Sequence, residues 1–212
     1  MKFTALKFSV QYFFQKEFVM NEKKKESLYA MIEAAIMLAL TMALDMFAVI
    51  RMPYGGSVTI CSLLPIIALS YRRGLKWGFG TGFVFGLLSM ILGLDNLAYI
   101  AKDFGTLLIF FVFDYFLACT VLGFGGIFRN IIKRPYIALP LGAFVATSLR
   151  FLSYVISGFT IWRQVADYPT ASLAALWYSI TYNASYMIPE IIITVVAAGI
   201  VAGVVDLRKK RI

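Results

Sequence analysis

Long apolar runs alternate with short polar stretches along most of the chain. The runs extend over about 28–50, 58–71, 75–94, 104–128, 137–161 and 172–206. About 20 helical residues cross the ~30 Å hydrocarbon core of a bilayer, so most of the runs are long enough to span it. The pattern therefore predicts an all-α membrane protein with six transmembrane helices. The second run is short and starts near Gly55-Gly56, which predicts a tilted or partly irregular span, and Pro189 predicts a kink in the last one.

Basic residues favour one side of this arrangement. Sixteen of the twenty lysines and arginines lie before the first run, beside the loops after the second and fourth runs, or in the tail. The other side has Arg51, Lys102 and Arg163, and Arg150 lies inside a run. Because positive residues stay cytoplasmic, we predict a multi-pass protein of the cell (inner or plasma) membrane with both termini in the cytoplasm. The net charge of +9 thus reflects topology and does not indicate nucleic-acid binding.

The chain divides into three parts by polarity. A polar, basic N-terminal extension covers 1–27, the six-helix transmembrane domain covers 28–206, and a basic cytoplasmic tail covers 207–212. The extension contains a short apolar patch, Phe8–Phe14, that is not followed by the cleavage site of a signal peptide. It fits equally an amphipathic segment at the membrane interface or a chain whose translation starts at Met20.

The residue types that enzymes and metal sites commonly use are scarce. The chain has no histidine, and its two cysteines, Cys61 and Cys119, lie inside apolar runs, where free thiols are expected. There is no phosphate-binding loop for ATP hydrolysis. The glycine-rich stretch 78–86 lies within a predicted membrane helix, where glycine indicates close packing. We therefore predict a protein that is not an enzyme and has no cofactor and no metal site.

Ionisable side chains inside the spans are the first candidates for function, because lipid makes them costly. They are Glu33, Asp45, Asp114, Arg150, Glu190 and Asp206. Glu33 and Asp206 are expected to be solvated helix ends, and Asp45 lies near the outer end of the first span. Asp114 lies deeper, among aromatic residues, and needs a partner. That partner is either Arg150 or a polar neighbour, or else a cationic or hydrogen-bond-donating ligand.

Polar and aromatic side chains repeat at helical spacing in the last two spans. One face of the fifth span has Arg150, Tyr154, Gly158 and Trp162. One face of the sixth span has Tyr178, Tyr182 and Tyr186, and an overlapping face has Asn183, Tyr186 and Glu190. Helix packing through Gly158 would give the same spacing, and Trp162 alone would also fit an interfacial anchor. The polar density of the sixth span favours a ligand cavity suited to a planar, positively charged, nitrogen-rich molecule.

The first span has a face of small residues. Ala35, Ala39 and Ala43 recur every four positions, which lets another helix approach closely. Spacing alone leaves two interpretations, packing within the protein and docking of a partner subunit.

Several motifs occur in a fixed order between about residues 28 and 206. After the alanine face come Pro53-Tyr54-Gly55-Gly56-Ser57, Leu64-Pro65-Ile66, Arg72-Arg73-Gly74, Asp114-Tyr115, the Arg150-to-Trp162 helix and Tyr182-Asn183-Ala184-Ser185-Tyr186-Met187-Ile188-Pro189-Glu190. Together they resemble the thiamine-specific S component, the substrate-binding subunit of energy-coupling-factor (ECF) transporters. The resemblance implies a six-helix fold with an outward-facing thiamine site. It also implies partners that deliver the vitamin to the cytoplasm, namely a membrane T component and two cytoplasmic ATPases.

The resemblance also implies roles for individual residues. Asp114 and Tyr115 would hold the aminopyrimidine ring of thiamine. Further site residues that it implies are Tyr154, Ser157, Gly158 and Trp162 in the fifth span and Tyr178 and Asn183 in the sixth, to which the helical stripe adds Tyr186. The alanine face Ala35, Ala39 and Ala43 would dock the T component.

Three positions depart from the pattern of the family. Asp114 stands where glutamate is usual, Tyr154 where histidine is frequent, and Arg51-Met52 in the outer loop where a tryptophan is expected. All three fall in the implied site. The resemblance therefore supports the fold and the transport system more directly than it supports the identity of the ligand. The alternatives are an S component for a thiamine precursor, a phosphate ester or another heterocyclic vitamin, a stand-alone secondary transporter, and a membrane enzyme or scaffold. No internal repeat of the kind common in secondary transporters is visible.

Overall fold

The structure, a computed structural model, describes residues 2–52, 55–94, 104–168 and 170–207, with side chains from residue 22 onward. Six main helices account for most of these residues. The helices are α1 (Lys2–Met46), α2 (Leu64–Arg73), α3 (Leu75–Leu92), α4 (Phe104–Gly126), α5 (Pro135–Thr160) and α6 (Leu173–Val204). Five are long and apolar enough to cross a bilayer, and α2, with ten residues, is shorter. The predicted all-α membrane fold is confirmed.

The second predicted run, 58–71, is only partly helical. Its start, the outer loop before it and the end of the first run form a hairpin of two antiparallel strands, β1 (Ala48–Arg51) and β2 (Ser57–Thr59). Gly55 and Gly56 turn the chain between the strands with φ of 90° and 87°, which side chains with a β-carbon rarely adopt. The expected irregular second span is therefore a hairpin followed by a short helix.

The short helix α2 lies in the centre of the protein. All residues from 64 to 71 are buried, and Ile66, Ile67 and Leu69 have no exposed surface. The hydroxyl of Ser70 donates a hydrogen bond to the Gly123 carbonyl oxygen and accepts one from the Gly126 N–H at 3.1 Å. Because protein surrounds residues 64–71 of α2, this part of the helix needs no contact with lipid.

Helix α1 continues without a break from Lys2 to Met46, so the predicted extension 1–27 and the first span share one helix. At the end of the protein opposite the hairpin, Glu33 of α1 forms ion pairs with Arg72 Nε at 2.9 Å and Arg73 Nη2 at 2.6 Å. The expectation that Glu33 is a solvated helix end is wrong, because only 14% of its side chain is exposed.

The other expected helix end, Asp206, is exposed. The predicted outer loop 95–103 and the tail from residue 208 lie outside the described residues.

Helix α4 changes its winding three times. It starts as an α-helix at Phe104–Phe110, widens to a π-helix at Phe111–Leu117, returns to an α-helix at Ala118–Thr120 and tightens to a 3₁₀-helix at Val121–Gly126. A π segment is rare and commonly accompanies a functional site. Here it contains Asp114, so the widened turn sets where this carboxylate points.

Two glycines of α3 offer a direct test of how closely α3 packs against α4. A β-carbon on Gly82 would overlap the Cys119 carbonyl oxygen and lie 3.2 Å from Thr120 Cα, whereas one on Gly80 would have no atom within 4 Å. We expect Gly82→Ala to lower the free energy of unfolding by about 1–3 kcal/mol through overpacking. Gly80→Ala should leave it unchanged or raise it slightly, because alanine favours helix. Thermal unfolding in detergent measures both, and equal effects would contradict the packing.

Candidate functional site

Eight of the nine predicted site residues surround one cavity of about 150 Å³. This space, the outer cavity, lies between the hairpin, α4, α5 and α6. The eight are Asp114 and Tyr115 from α4, Tyr154 and Gly158 from α5, Trp162 from the turn after α5, and Tyr178, Asn183 and Tyr186 from α6. The ninth, Ser157, is fully buried beside the Asp114 carboxylate and does not line the cavity. The stripes read from the sequence therefore converge on one space.

A hydrogen bond between Trp162 and Asp114 joins two walls of the outer cavity. The indole Nε1–H of Trp162 donates to Asp114 Oδ2 at 2.9 Å. Trp162 lies in a 3₁₀ turn, Trp162–Gln164, just past the end of α5, so it continues the face of α5 without belonging to that helix. Phe110 packs edge-on against the Trp162 ring with centroids 6.1 Å apart, which limits the orientations open to the indole.

The partner of Asp114 within the protein is thus a neutral donor. Arg150, the other candidate, instead uses Nη1 to donate to the Ala118 carbonyl oxygen and to Cys119 Sγ, both at 3.2 Å. Among the described side chains, no cation forms an ion pair with Asp114. Of the partners left open by the sequence, the structure gives Asp114 a polar neighbour, Trp162, and not Arg150.

The tyrosines of α6 form a continuous aromatic wall. Ring centroids are 5.9 Å apart between Tyr178 and Tyr182, and 6.1 Å apart between Tyr182 and Tyr186. Tyr154 of α5 extends the wall, with its centroid 6.1 Å from that of Tyr186. Spacing of four residues places the three α6 rings on one face of the helix. Such a surface suits a flat, cationic ring.

The side chain of Asn183 is fixed from three directions. Its Nδ2 donates to the Ser179 carbonyl oxygen at 2.8 Å and to the Tyr154 carbonyl oxygen at 3.3 Å, and its Oδ1 accepts from the Tyr186 hydroxyl at 2.5 Å. A β-carbon on Gly158 would lie 3.0 Å from Asn183 Nδ2. Gly158 therefore allows α5 and α6 to pack closely, and it also lines the cavity.

Five residues of the wall were not among the predicted site residues. They are Gly55, Gly56, Phe110, Ser179 and Tyr182. Tyr182 belongs to the tyrosine stripe and could have been included on that basis. The two glycines contribute through the hairpin, whose position no helical spacing can predict.

A second cavity of about 250 Å³, called the inner cavity, adjoins the first. The two share five wall residues, Gly56, Asp114, Tyr115, Tyr154 and Tyr186. The inner cavity also reaches Asp45, Arg150 and Glu190, so ionisable side chains from three different spans converge there. The guanidinium of Arg150 lies 5.1 Å from the centroid of the Tyr154 ring, a cation–π distance.

The chain matches known proteins over most of its length. A family profile described as thiamine transporter protein (Thia_YuaJ) matches residues 31–207. The thiamine transporter ThiT of Bacillus subtilis (strain 168) is 33% identical over 186 residues, which cover 82% of this chain and 89% of that protein. The structure of ThiT from Listeria monocytogenes, solved by native-SAD phasing, matches with a TM-score of 0.66 at 18% identity, over 84% of this chain and 95% of that one. The structural match shows a shared fold.

Proposed function

The chain belongs to the thiamine transporter family, and we propose that it binds thiamine in the outer cavity. Membership makes it a multi-pass membrane protein that functions as a thiamine-binding S component and is not an enzyme. The observation that carries the site assignment is the convergence of Asp114, Trp162 and Asn183, from three separate elements, on one space.

The chemistry of the cavity matches the two rings of thiamine. The Asp114 carboxylate, which has no cationic partner among the described side chains, would either accept hydrogen bonds from the aminopyrimidine ring or offset the permanent positive charge of the thiazolium ring. Trp162 and the tyrosine wall offer faces for stacking. The aminopyrimidine ring carries donors and acceptors that Asn183 Oδ1 and the tyrosine hydroxyls complement.

Size also supports this assignment. The outer and inner cavities share a wall and together reach the range of pockets that enclose drug-sized ligands, roughly 300–1,000 Å³. A ligand with two rings joined by one bridge would fill the outer cavity and extend toward the inner one. The hairpin glycines, Gly55 and Gly56, would then lie directly against it.

The cavity is proposed to open to the outside, with both termini in the cytoplasm. The hairpin, the end of α1 at Met46 and the start of α6 at Leu173 lie at the cavity end of the protein. Arg72 and Arg73 lie in the last turn of α2, at the end away from the hairpin. Because positive residues stay cytoplasmic, that end would face the cytoplasm. Thiamine would enter beneath the hairpin.

Transport is proposed to need partners that dock on α1. Ala35, Ala39 and Ala43 are exposed, so they do not serve packing within the protein. Ile36 and Leu40 beside them are 60% and 46% exposed. A flat apolar face of this kind suits a helix of a T component, which with two ATPases would use ATP to deliver the vitamin to the cytoplasm.

Replacing Asp114 tests the binding site. We expect Asp114→Ala to weaken thiamine binding by about 2 kcal/mol or more, because it removes a charged acceptor from an enclosed site. Asp114→Asn keeps an acceptor for Trp162 but no charge, so a similar loss would assign the effect to charge. Isothermal titration and tryptophan quenching in detergent measure the affinity.

The exposed residue Asp206 supplies the control for this experiment, because Asp206→Asn should bind like the wild type. An unchanged affinity in both Asp114 variants would place Asp114 outside the site. No heat and no quenching for the wild type at micromolar thiamine would remove the thiamine assignment.

A bulky residue on the alanine face tests docking. We expect Ala39→Trp to abolish co-purification with the T component and the ATPases, and to abolish thiamine uptake, because the partner helix can no longer approach. Affinity for thiamine should stay within about twofold, since Ala39 lies away from both cavities. The matched control is Ile192→Trp, at a position of α6 that is 58% exposed. An intact complex with Ala39→Trp, or an equal loss with Ile192→Trp, would contradict the proposal.

A further inference from the structure

Glu190 is buried deep in α6 and is bound to the hairpin. Its Oε2 accepts a hydrogen bond from the Thr59 backbone N–H at 2.6 Å, and its Oε1 accepts one from the Thr59 hydroxyl at 2.7 Å. Glu190 and Thr59 are only 3% and 2% exposed. Both oxygens of one carboxylate are thus used to hold a single residue that lies 131 positions away in the chain.

Two further contacts fix the hairpin from the same face of α6. The Tyr182 hydroxyl donates to the Gly55 carbonyl oxygen at 3.0 Å. A β-carbon on Gly56 would lie 2.6 Å from Cε1 of Tyr186, so the turn rests directly on that ring. Tyr182, Tyr186 and Glu190 are four residues apart and therefore share one face of the helix.

The hairpin depends on these contacts for its position. It has only two strands, and its register consists of Ala48 with Thr59, Ile50 with Val58 and Arg51 with Ser57, with an irregularity after Ala48. An isolated two-stranded hairpin is marginally stable at best. Since Gly55 and Gly56 form part of the outer cavity wall, whatever holds the hairpin also holds that wall.

We propose that Glu190 is a positioning residue for thiamine binding, which clamps Thr59 and thereby keeps the hairpin in place as a wall of the cavity. This inference rests on the proposed function. Glu190 lines the inner cavity and not the outer one, so it acts on the bound ring through the hairpin. Without the clamp, the wall formed by α4, α5 and α6 remains, and the ligand leaves more easily past the hairpin.

Two substitutions at Glu190 separate the clamp from the charge. The Thr59 hydroxyl also lies 2.6 Å from Ser62 Oγ, so it can donate to Ser62 and accept from a donor at position 190. In Glu190→Gln, the amide oxygen would accept from the Thr59 N–H and the amide nitrogen would donate to the Thr59 hydroxyl. Glutamine therefore preserves both contacts without the charge, whereas Glu190→Ala removes both.

The experiment uses the full chain in lipid nanodiscs with thiamine as the probe, and stopped-flow tryptophan quenching gives the association and dissociation rates. We expect Glu190→Ala to raise the dissociation rate about tenfold or more, since each lost hydrogen bond of this kind corresponds to roughly a factor of ten. Glu190→Gln should stay within about threefold of the wild type. Thr59→Val, which keeps the N–H contact and loses the hydroxyl contact, should lie between them.

Hydrogen exchange of the amides at 57–59 in the ligand-free protein gives a second readout. Exchange should be faster in Glu190→Ala and unchanged in Glu190→Gln, with global unfolding measured alongside. Equal effects of alanine and glutamine would assign the role to charge and overturn the clamp, as would an unchanged dissociation rate in Glu190→Ala.

If Glu190→Ala does not fold, an unchanged dissociation rate in Thr59→Val overturns the proposal. A wild type that binds no thiamine would contradict the proposed function instead, and the exchange of the hairpin amides would still decide the role of Glu190.

Discussion

Lipid offers no hydrogen bonds, so every polar group placed within a bilayer must find its partner inside the protein. In this chain several polar groups of the last three helices lie around two adjoining cavities. Asp114 receives the indole N–H of Trp162, Asn183 is held by α5 and α6, and Glu190 binds Thr59. The same contacts that satisfy these groups also fix the walls of a cavity, and the stability of the fold and the shape of the site are therefore set together.

Irregular backbone supplies what regular helices cannot. The π segment Phe111–Leu117 directs Asp114, the 3₁₀ turn Trp162–Gln164 brings the indole over it, and the glycine turn of the hairpin forms the remaining side. Strand β2 of the hairpin is largely buried, so protein surrounds this irregular backbone. The buried helix α2, tied to α4 through Ser70, gives these pieces a rigid base.

Much of this arrangement follows from sequence patterns, and the exceptions have physical causes. The long apolar runs give five of the helices, and helical spacing of three and four residues on α6 places Asn183 and the tyrosine stripe correctly relative to one another. Spacing within a helix says nothing about contacts between helices. For that reason it did not show that Asp114 meets Trp162 rather than Arg150, or that Ser157 lies behind the wall.

The hairpin and the ion pairs of Glu33 also escaped prediction, for related reasons. A run of apolar residues does not reveal whether lipid or protein covers it, so the buried strand β2 and α2 resemble a membrane span in sequence. The pairing of Glu33 with Arg72 and Arg73 depends on how α1 lies against α2.

The most direct measurement is an experimental structure of the purified protein with thiamine at saturating concentration. We expect density for two linked rings in the outer cavity, with one ring beside Asp114, one ring stacked against Trp162 or the α6 tyrosines, and the hairpin closed over them. Thiamine density elsewhere, or an empty outer cavity in a protein shown to bind the vitamin in the same sample, would contradict it.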